Sequence, residues 1–160
     1  MRPGGVPTFD GGKEVCYVYT DGASRGNPGP GACAYVIVKG GQLLKEGSRL
    51  LGLCTNNEAE YNAVLDGLKQ ASELGEKDVV VVSDSALVVN QLNNAWQVKN
   101  QRMKKLKEAV DEIAKGFVSV RYIHVPRENP WVSRADALCN RALDKANGKQ
   151  TSPLLGRGGG

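Results

Sequence analysis

The stretch EVCYVYTD, Glu14 to Asp21, runs directly into GASRGNPGPG, Gly22 to Gly31. In its first half Val15, Tyr17 and Tyr19 share one strand face while Cys16 and Val18 share the other, so both faces are apolar. A strand of that kind is covered on both sides, which makes it a central strand of a layered α/β sheet. It ends on a single carboxylate, Asp21, where Gly, Asn and Pro break the pattern.

Outward from this strand, ACAYVIVK and QLLKEGSRLL are strand-like runs separated by Gly40 and Gly41, the spacing of a tight antiparallel hairpin. Tyr61, Val64, Leu65, Leu68 and Ala71 recur at three-four spacing and predict a helix from about Asn56 to Leu74. DVVVVSD reads as a second buried strand, followed by a short helix near Ala86 to Leu92. A longer helix carries Met103, Leu106, Val110 and Ile113. VSVRYIHV is a last strand, and Ala135, Leu138, Cys139, Ala142, Leu143 and Ala146 mark a closing helix. The order β-β-β-α-β-α-α-β-α predicts an α/β fold, one mixed sheet flanked by helices on both faces.

At 160 residues, 41% apolar and 24% charged with net charge +4, the chain has the material for one soluble domain. The folded part is expected over 14–147, with Gly- and Pro-rich flexible segments at 1–13 and 148–160. No apolar run approaches the ~20 residues of a membrane helix, and no secretory signal opens the chain, so a cytoplasmic protein without membrane contact is expected. Cys16, Cys33, Cys54 and Cys139 form no CxxC pair and read as buried thiols, with a Cys54 to Cys139 disulfide as the alternative.

Strands joined through a helix tend to be parallel, and α/β sheets place sites outside the carboxyl ends of such strands. Asp21 and Asp84 both stand at such ends. In TNNEAEY, Thr55 and Glu58 have capping-box spacing, which accounts for Glu58. Glu60 lies about 40° around the helix from Val64, on the edge of the apolar stripe, and a carboxylate there calls for a cation nearby. Asp84 and Asp136 also admit bland readings, since SDS is a helix start and Ser133 to Asp136 has capping-box spacing. Taken together, four acidic residues at element ends predict a cluster that needs a metal. Hard oxygen ligands favour Mg²⁺ or Mn²⁺ over zinc.

DGASRGNPGPG, TNNEAEY, SDS and RADALCNRAL, in this order and spacing, resemble type 1 ribonuclease H in its archaeal-like or minimal bacterial form, over roughly residues 15 to 147. The resemblance implies a five-stranded mixed sheet of the ribonuclease H-like fold and two Mg²⁺ ions, with Mn²⁺ as a substitute. It implies hydrolysis of the RNA strand of an RNA/DNA hybrid to 5′-phosphate and 3′-hydroxyl ends. Its metal ligands fall at Asp21, Glu60, Asp84 and Asp136, with Asp21 bridging both ions. Its substrate contacts fall at Gly22, Ala23, Asn27, Thr55, Asn56 and Asn57, and Glu60 also meets a ribose 2′-hydroxyl, the group that separates RNA from DNA.

Three departures from better-known members shape the expectations. HVPRENPWVSRAD lacks a glycine-flanked histidine before the last helix, so Arg127 is a rival to His124 for the assisting role, and His124 is read as structural. Leu87 stands where an aromatic residue is frequent, and Trp96 is the alternative stacking surface. The long basic insertion is missing. Lys99, Arg102, Lys104, Lys105 and Lys107 offer phosphate contacts instead, partly offset by Lys104–Glu108 and Lys107–Asp111 pairing. A monomer is expected, acting on hybrids, with double-stranded RNA or RNA-DNA junctions as a broader alternative and a nucleic-acid-binding module as a third.

Overall fold

The computed structural model describes residues 9, 10 and 13–148. Two short strands, β1 (Phe9–Asp10) and β2 (Lys13–Glu14), pair antiparallel over two residue pairs, a ladder that the reading of 1–13 as an appendage did not include. The main elements follow: β3 (Cys16–Ser24), β4 (Gly29–Lys39), β5 (Gln42–Cys54), α1 (Asn56–Glu73), β6 (Asp78–Ser83), α2 (Ala86–Leu92), α3 (Gln101–Ala114), β7 (Ser119–His124) and α4 (Pro130–Ala146). The expected tail lies, from 149 onward, outside the described residues.

The sheet has the order β5-β4-β3-β6-β7, with β3 at its centre. β3 runs antiparallel to β4 and parallel to β6, and β6 runs parallel to β7. Gly40 and Gly41, at φ 60° and 78°, make the left-handed turn that joins β4 to β5 without a Cβ penalty.

The alternation of β3 divides the apolar residues into two cores. Val15, Tyr17 and Tyr19 pack with Ala32, Ala34, Val36 and α4 residues Val132, Ala135, Cys139 and Leu143. Cys16 and Val18 pack on the other face with Ile37, Tyr61, Val64, Leu68 and α3 residues Met103 and Val110. The two-faced apolar pattern therefore corresponds to a real two-sided burial. All four cysteines are buried and free, so the disulfide alternative is set aside. Cys139 lies in the α4 core, whereas the Cys54 sulfur lies 2.3 Å from where a Cβ on Gly31 would stand.

Helix boundaries follow local chemistry. Thr55 and Glu58 form the expected capping box at the start of α1. Ser85, rather than Asp84, caps α2 by accepting from the Val88 N–H. The capping reading of Ser133 and Asp136 is corrected: α4 starts a turn earlier, at Asn129, whose Oδ1 accepts from the Trp131 and Val132 N–H groups, with Pro130 following. Neither Asp84 nor Asp136 is thus used up as a cap.

Candidate active site

The parallel pairing of β3 with β6 aligns Tyr19 with Val82, so Asp21 and Asp84 emerge side by side where the two strands part. Glu60 reaches them from the second turn of α1. That approach depends on Gly22, because a Cβ there would lie 2.2 Å from the Ala59 carbonyl carbon and oxygen. Backbone against backbone, the Gly22 N–H donates to Glu60 Oε1 at 3.0 Å. Among the described residues no side-chain cation pairs with Glu60, and the Gly22 N–H is its hydrogen-bond donor.

Carboxylate oxygens of Asp21, Glu60 and Asp84 lie within 4.8 Å of one another. Asp21 and Glu60 are buried, Asp84 and Asp136 half-buried. Asp136 stands outside that closest set but adds its charge to it from α4. Burial, then the charges of Asp84 and Asp136, push the Asp21 carboxyl up to about 8. Burial and the neighbouring acids raise Glu60 well above the ordinary carboxylate range. Burial also raises Asp84, with the Arg127 guanidinium the largest opposing influence. One buried oxygen, Asp21 Oδ2, has no hydrogen-bond partner. The Asp21 backbone is fixed from behind, where the Cys139 thiol donates to its carbonyl at 3.3 Å.

These carboxylates line a cleft of about 690 Å³ with Gly22, Ala23, Asn56, His124 and Arg127. His124 ends β7 and is exposed in the cleft, beside the loop that carries Arg127. Asn27 is tied to the N-terminus of α1, its Oδ1 accepting from the Asn56 N–H at 2.9 Å, while Asn56 Oδ1 accepts from the Ser24 N–H. Thr55 is occupied as the cap of α1, and Asn57 is half-buried on the same first turn.

Trp96 is 49% exposed and lies outside this cleft, in a second depression with Lys104 and Lys107. Lys99 is exposed and lines neither. Lys107 pairs with Asp111 at 2.8 Å, but Lys104 makes no pair with Glu108. Arg102 sits 3.5 Å from Glu58, a contact between α3 and α1 that helical spacing alone does not reveal. Ser85, Val132 and Ser133 also line the cleft; the sequence marks the two serines only as helix-start residues and gives no signal for Val132.

A five-stranded mixed sheet with acidic side chains gathered at its parallel strand ends defines a ribonuclease H-like domain. The profile of the family described as "Reverse transcriptase-like" matches residues 19–142. The sequence is 42% identical to ribonuclease HI of Halobacterium salinarum over 131 residues, 81% of this chain and 65% of that protein. It is 37% identical to a bifunctional protein of Mycobacterium tuberculosis, across 81% of this chain but 35% of the relative's length. The crystal structure of H. salinarum RNase H1 superposes with a TM-score of 0.79 at 41% identity, covering 82% of this chain and 98% of that one. A structure of LC11-RNase H1 in complex with an RNA/DNA hybrid superposes at 0.78 with 36% identity, covering 82% and 99%. The chain belongs to the ribonuclease H family.

Proposed function

We propose that this protein is a metal-dependent endonuclease that cleaves the RNA strand of RNA/DNA hybrids, leaving 5′-phosphate and 3′-hydroxyl ends, and that it acts as a monomer. The observation that carries the reading is the meeting of the Asp21, Glu60 and Asp84 carboxylates within 4.8 Å, with a buried Asp21 oxygen lacking any partner. Like charges so close call for a counter-charge, and an all-oxygen donor set suits Mg²⁺ or Mn²⁺. The residues present therefore fit the family's metal pair. Asp21, Glu60, Asp84 and Asp136 would hold it. When bound, divalent metal activates the attacking water and stabilises the leaving oxygen.

The chain's own groups do the rest. The Gly22 N–H fixes one Glu60 oxygen, leaving the other for a ribose 2′-hydroxyl, so RNA is favoured over DNA. Gly22 and Ala23 present bare backbone to the substrate, and Asn27, Thr55, Asn56 and Asn57 meet its sugar-phosphate chain. Arg127, close enough to oppose the rise of Asp84, stabilises charge developing on the phosphate and helps product leave, with His124 beside it as the rival. Trp96 and Lys99 meet the strand away from the cut, by stacking and by charge. The solved hybrid complex of LC11-RNase H1 supports the substrate class.

The test is cleavage of labelled hybrid, double-stranded RNA and duplex DNA, each with Mg²⁺, Mn²⁺ or chelator. Metal-dependent cutting of the hybrid's RNA strand alone is expected. Equal cutting of double-stranded RNA would broaden the specificity, and binding without cutting would make this a binding module.

A further inference from the structure

The loop that follows Asp21 is gripped from two sides, and the second grip has no counterpart in the site described above. On the α1 side lie the reciprocal bonds of Asn27, Asn56 and Ser24. On the α4 side lies Arg25. Its Nη2 donates to Asn140 Oδ1 at 3.2 Å and to the Asn140 carbonyl at 3.4 Å, and its Nη1 lies 2.7 Å from Asp144 Oδ1. Asn140 Nδ2 in turn donates to the Asp136 carbonyl at 3.1 Å.

Asp136, Asn140 and Asp144 are spaced four apart, so they form one stripe along α4. Arg25 holds the lower part of the stripe whose upper end is the Asp136 carboxylate. The helices on either side of the loop belong to opposite faces of the sheet, α1 with the core around Val18 and α4 with the core around Tyr19. Residues 25 to 28 are exposed and pack into neither core. Their placement therefore rests on these polar contacts and on the Arg25 N–H, which closes the loop on Pro30 O at 2.8 Å.

We propose that Arg25 is a positioning residue for substrate binding: it clamps the loop of residues 24–30 onto α4, fixing Asn27 and the bare backbone at Gly22 and Ala23 relative to Asp136. The clamp rests on the hybrid-cleaving function proposed above. A planar guanidinium suits the task because it engages a carbonyl, an amide oxygen and a carboxylate from one rigid fork, which a lysine cannot do.

The pair Arg25→Ala and Asp144→Ala tests it, because the clamp and simple electrostatics disagree in sign. Removing Asp144 deletes a negative charge and on long-range electrostatics alone would tighten hybrid binding. Loss of the clamp instead raises KM about three- to tenfold in both variants, with kcat within about twofold. The exchange Arg25→Asp with Asp144→Arg keeps net charge and can restore the ion pair but not the two donations to Asn140, so KM is expected to fall below that of either single variant without reaching the parent's.

The salt dependence of hybrid binding in chelator separates the remaining roles. A direct phosphate contact by Arg25 would flatten the slope by about 0.9 in Arg25→Ala, whereas a clamp leaves it unchanged. Amide exchange in the free protein reads the clamp without substrate: the Arg25 and Asn56 amides are expected to exchange at least about fivefold faster in both single variants. Unchanged exchange, tighter binding by Asp144→Ala, or a flattened slope in Arg25→Ala each overturns the proposal. If the parent protein cuts no hybrid, the function fails while the exchange rates still decide whether the clamp exists.

Discussion

The backbone N–H of Gly22 donates to Glu60 Oε1 at 3.0 Å, and the position is open only to a residue without a Cβ, since Ala59 backbone atoms lie 2.2 Å from where that carbon would stand. Strand and helix are thus in direct backbone contact at the point where the carboxylates meet. Gly22→Ala must push α1 from β3. Overpacking of this kind costs roughly 1–3 kcal/mol, and displacement of Glu60 is expected to lower kcat at least ~100-fold. Denaturant melts and single-turnover rates measure both; a variant with parental rate would mean that Glu60 does not need this approach.

Asp21→Asn and Asp84→Asn are each expected to abolish cleavage while the metal-free protein stays folded and becomes more stable. The stabilisation follows from relief of repulsion among buried like charges. Circular-dichroism melts in chelator, beside cleavage assays in Mg²⁺, provide the comparison. Turnover at the parental rate in either variant takes that residue out of the site.

Two glutamates two residues apart have separate fates. Glu58 accepts from the Thr55 N–H and faces Arg102, so Glu58→Gln keeps the capping geometry and costs less than ~1 kcal/mol. Glu60→Gln is expected to cost orders of magnitude in rate. Similar kinetic damage from both would show that the first two turns of α1 are catalytic as a unit.

The carboxyl of Asp21 has its folded value raised from 3.8 to about 8, by burial first and by Asp84 and Asp136 next. A raised acid binds its proton more tightly when folded, so its stabilising contribution is complete below the unfolded value and is lost as pH rises through the folded one. Without metal, stability is therefore expected to decline between about pH 4 and pH 8, and divalent metal, which needs the ionised form, should bind more tightly as pH rises. Melting temperatures across that range in chelator and in Mg²⁺ give the check, and a flat chelator curve contradicts the assignment.

Arg127→Ala is expected to lower kcat about 10- to 100-fold, with its pH–rate profile unchanged in shape, because a guanidinium stays charged throughout. His124→Ala separates the rival reading. An imidazole carrying a proton in the rate-limiting step would leave a flattened pH–rate profile when removed. Should His124→Ala lose both activity and pH dependence, the assisting role passes from Arg127 to the histidine.

Much of this arrangement is legible in the chain itself, for identifiable reasons. The two-faced apolar pattern of Val15 to Tyr19 specifies a covered central strand, and Gly40-Gly41 specifies the hairpin beside it. Thr55 and Glu58 set the start of α1 within a residue. The start of α4 is not set by spacing alone: Ser133 and Asp136 match a capping box, yet Asn129, a turn earlier, takes the two free N–H groups. The helical period marks Glu60 as a carboxylate on the edge of an apolar stripe, but the close backbone approach at Gly22 depends on how α1 lies on β3, which periodicity does not encode. The Arg25 clamp joins residues 115 positions apart and leaves no local pattern at all.

The division of the interior into two cores carries a consequence for how the protein fails on heating. Glu60 is mounted on the layer beneath α1, which buries nine residues of that helix, whereas Asp136 rides on α4, which buries four. Regions with fewer buried contacts open at lower free energy than the whole molecule. The α4 layer is thus the weaker cooperative unit. Its transient detachment carries Asp136 away from Asp21, Glu60 and Asp84 while the rest of the sheet remains intact, so thermal inactivation should begin several degrees below the loss of secondary structure.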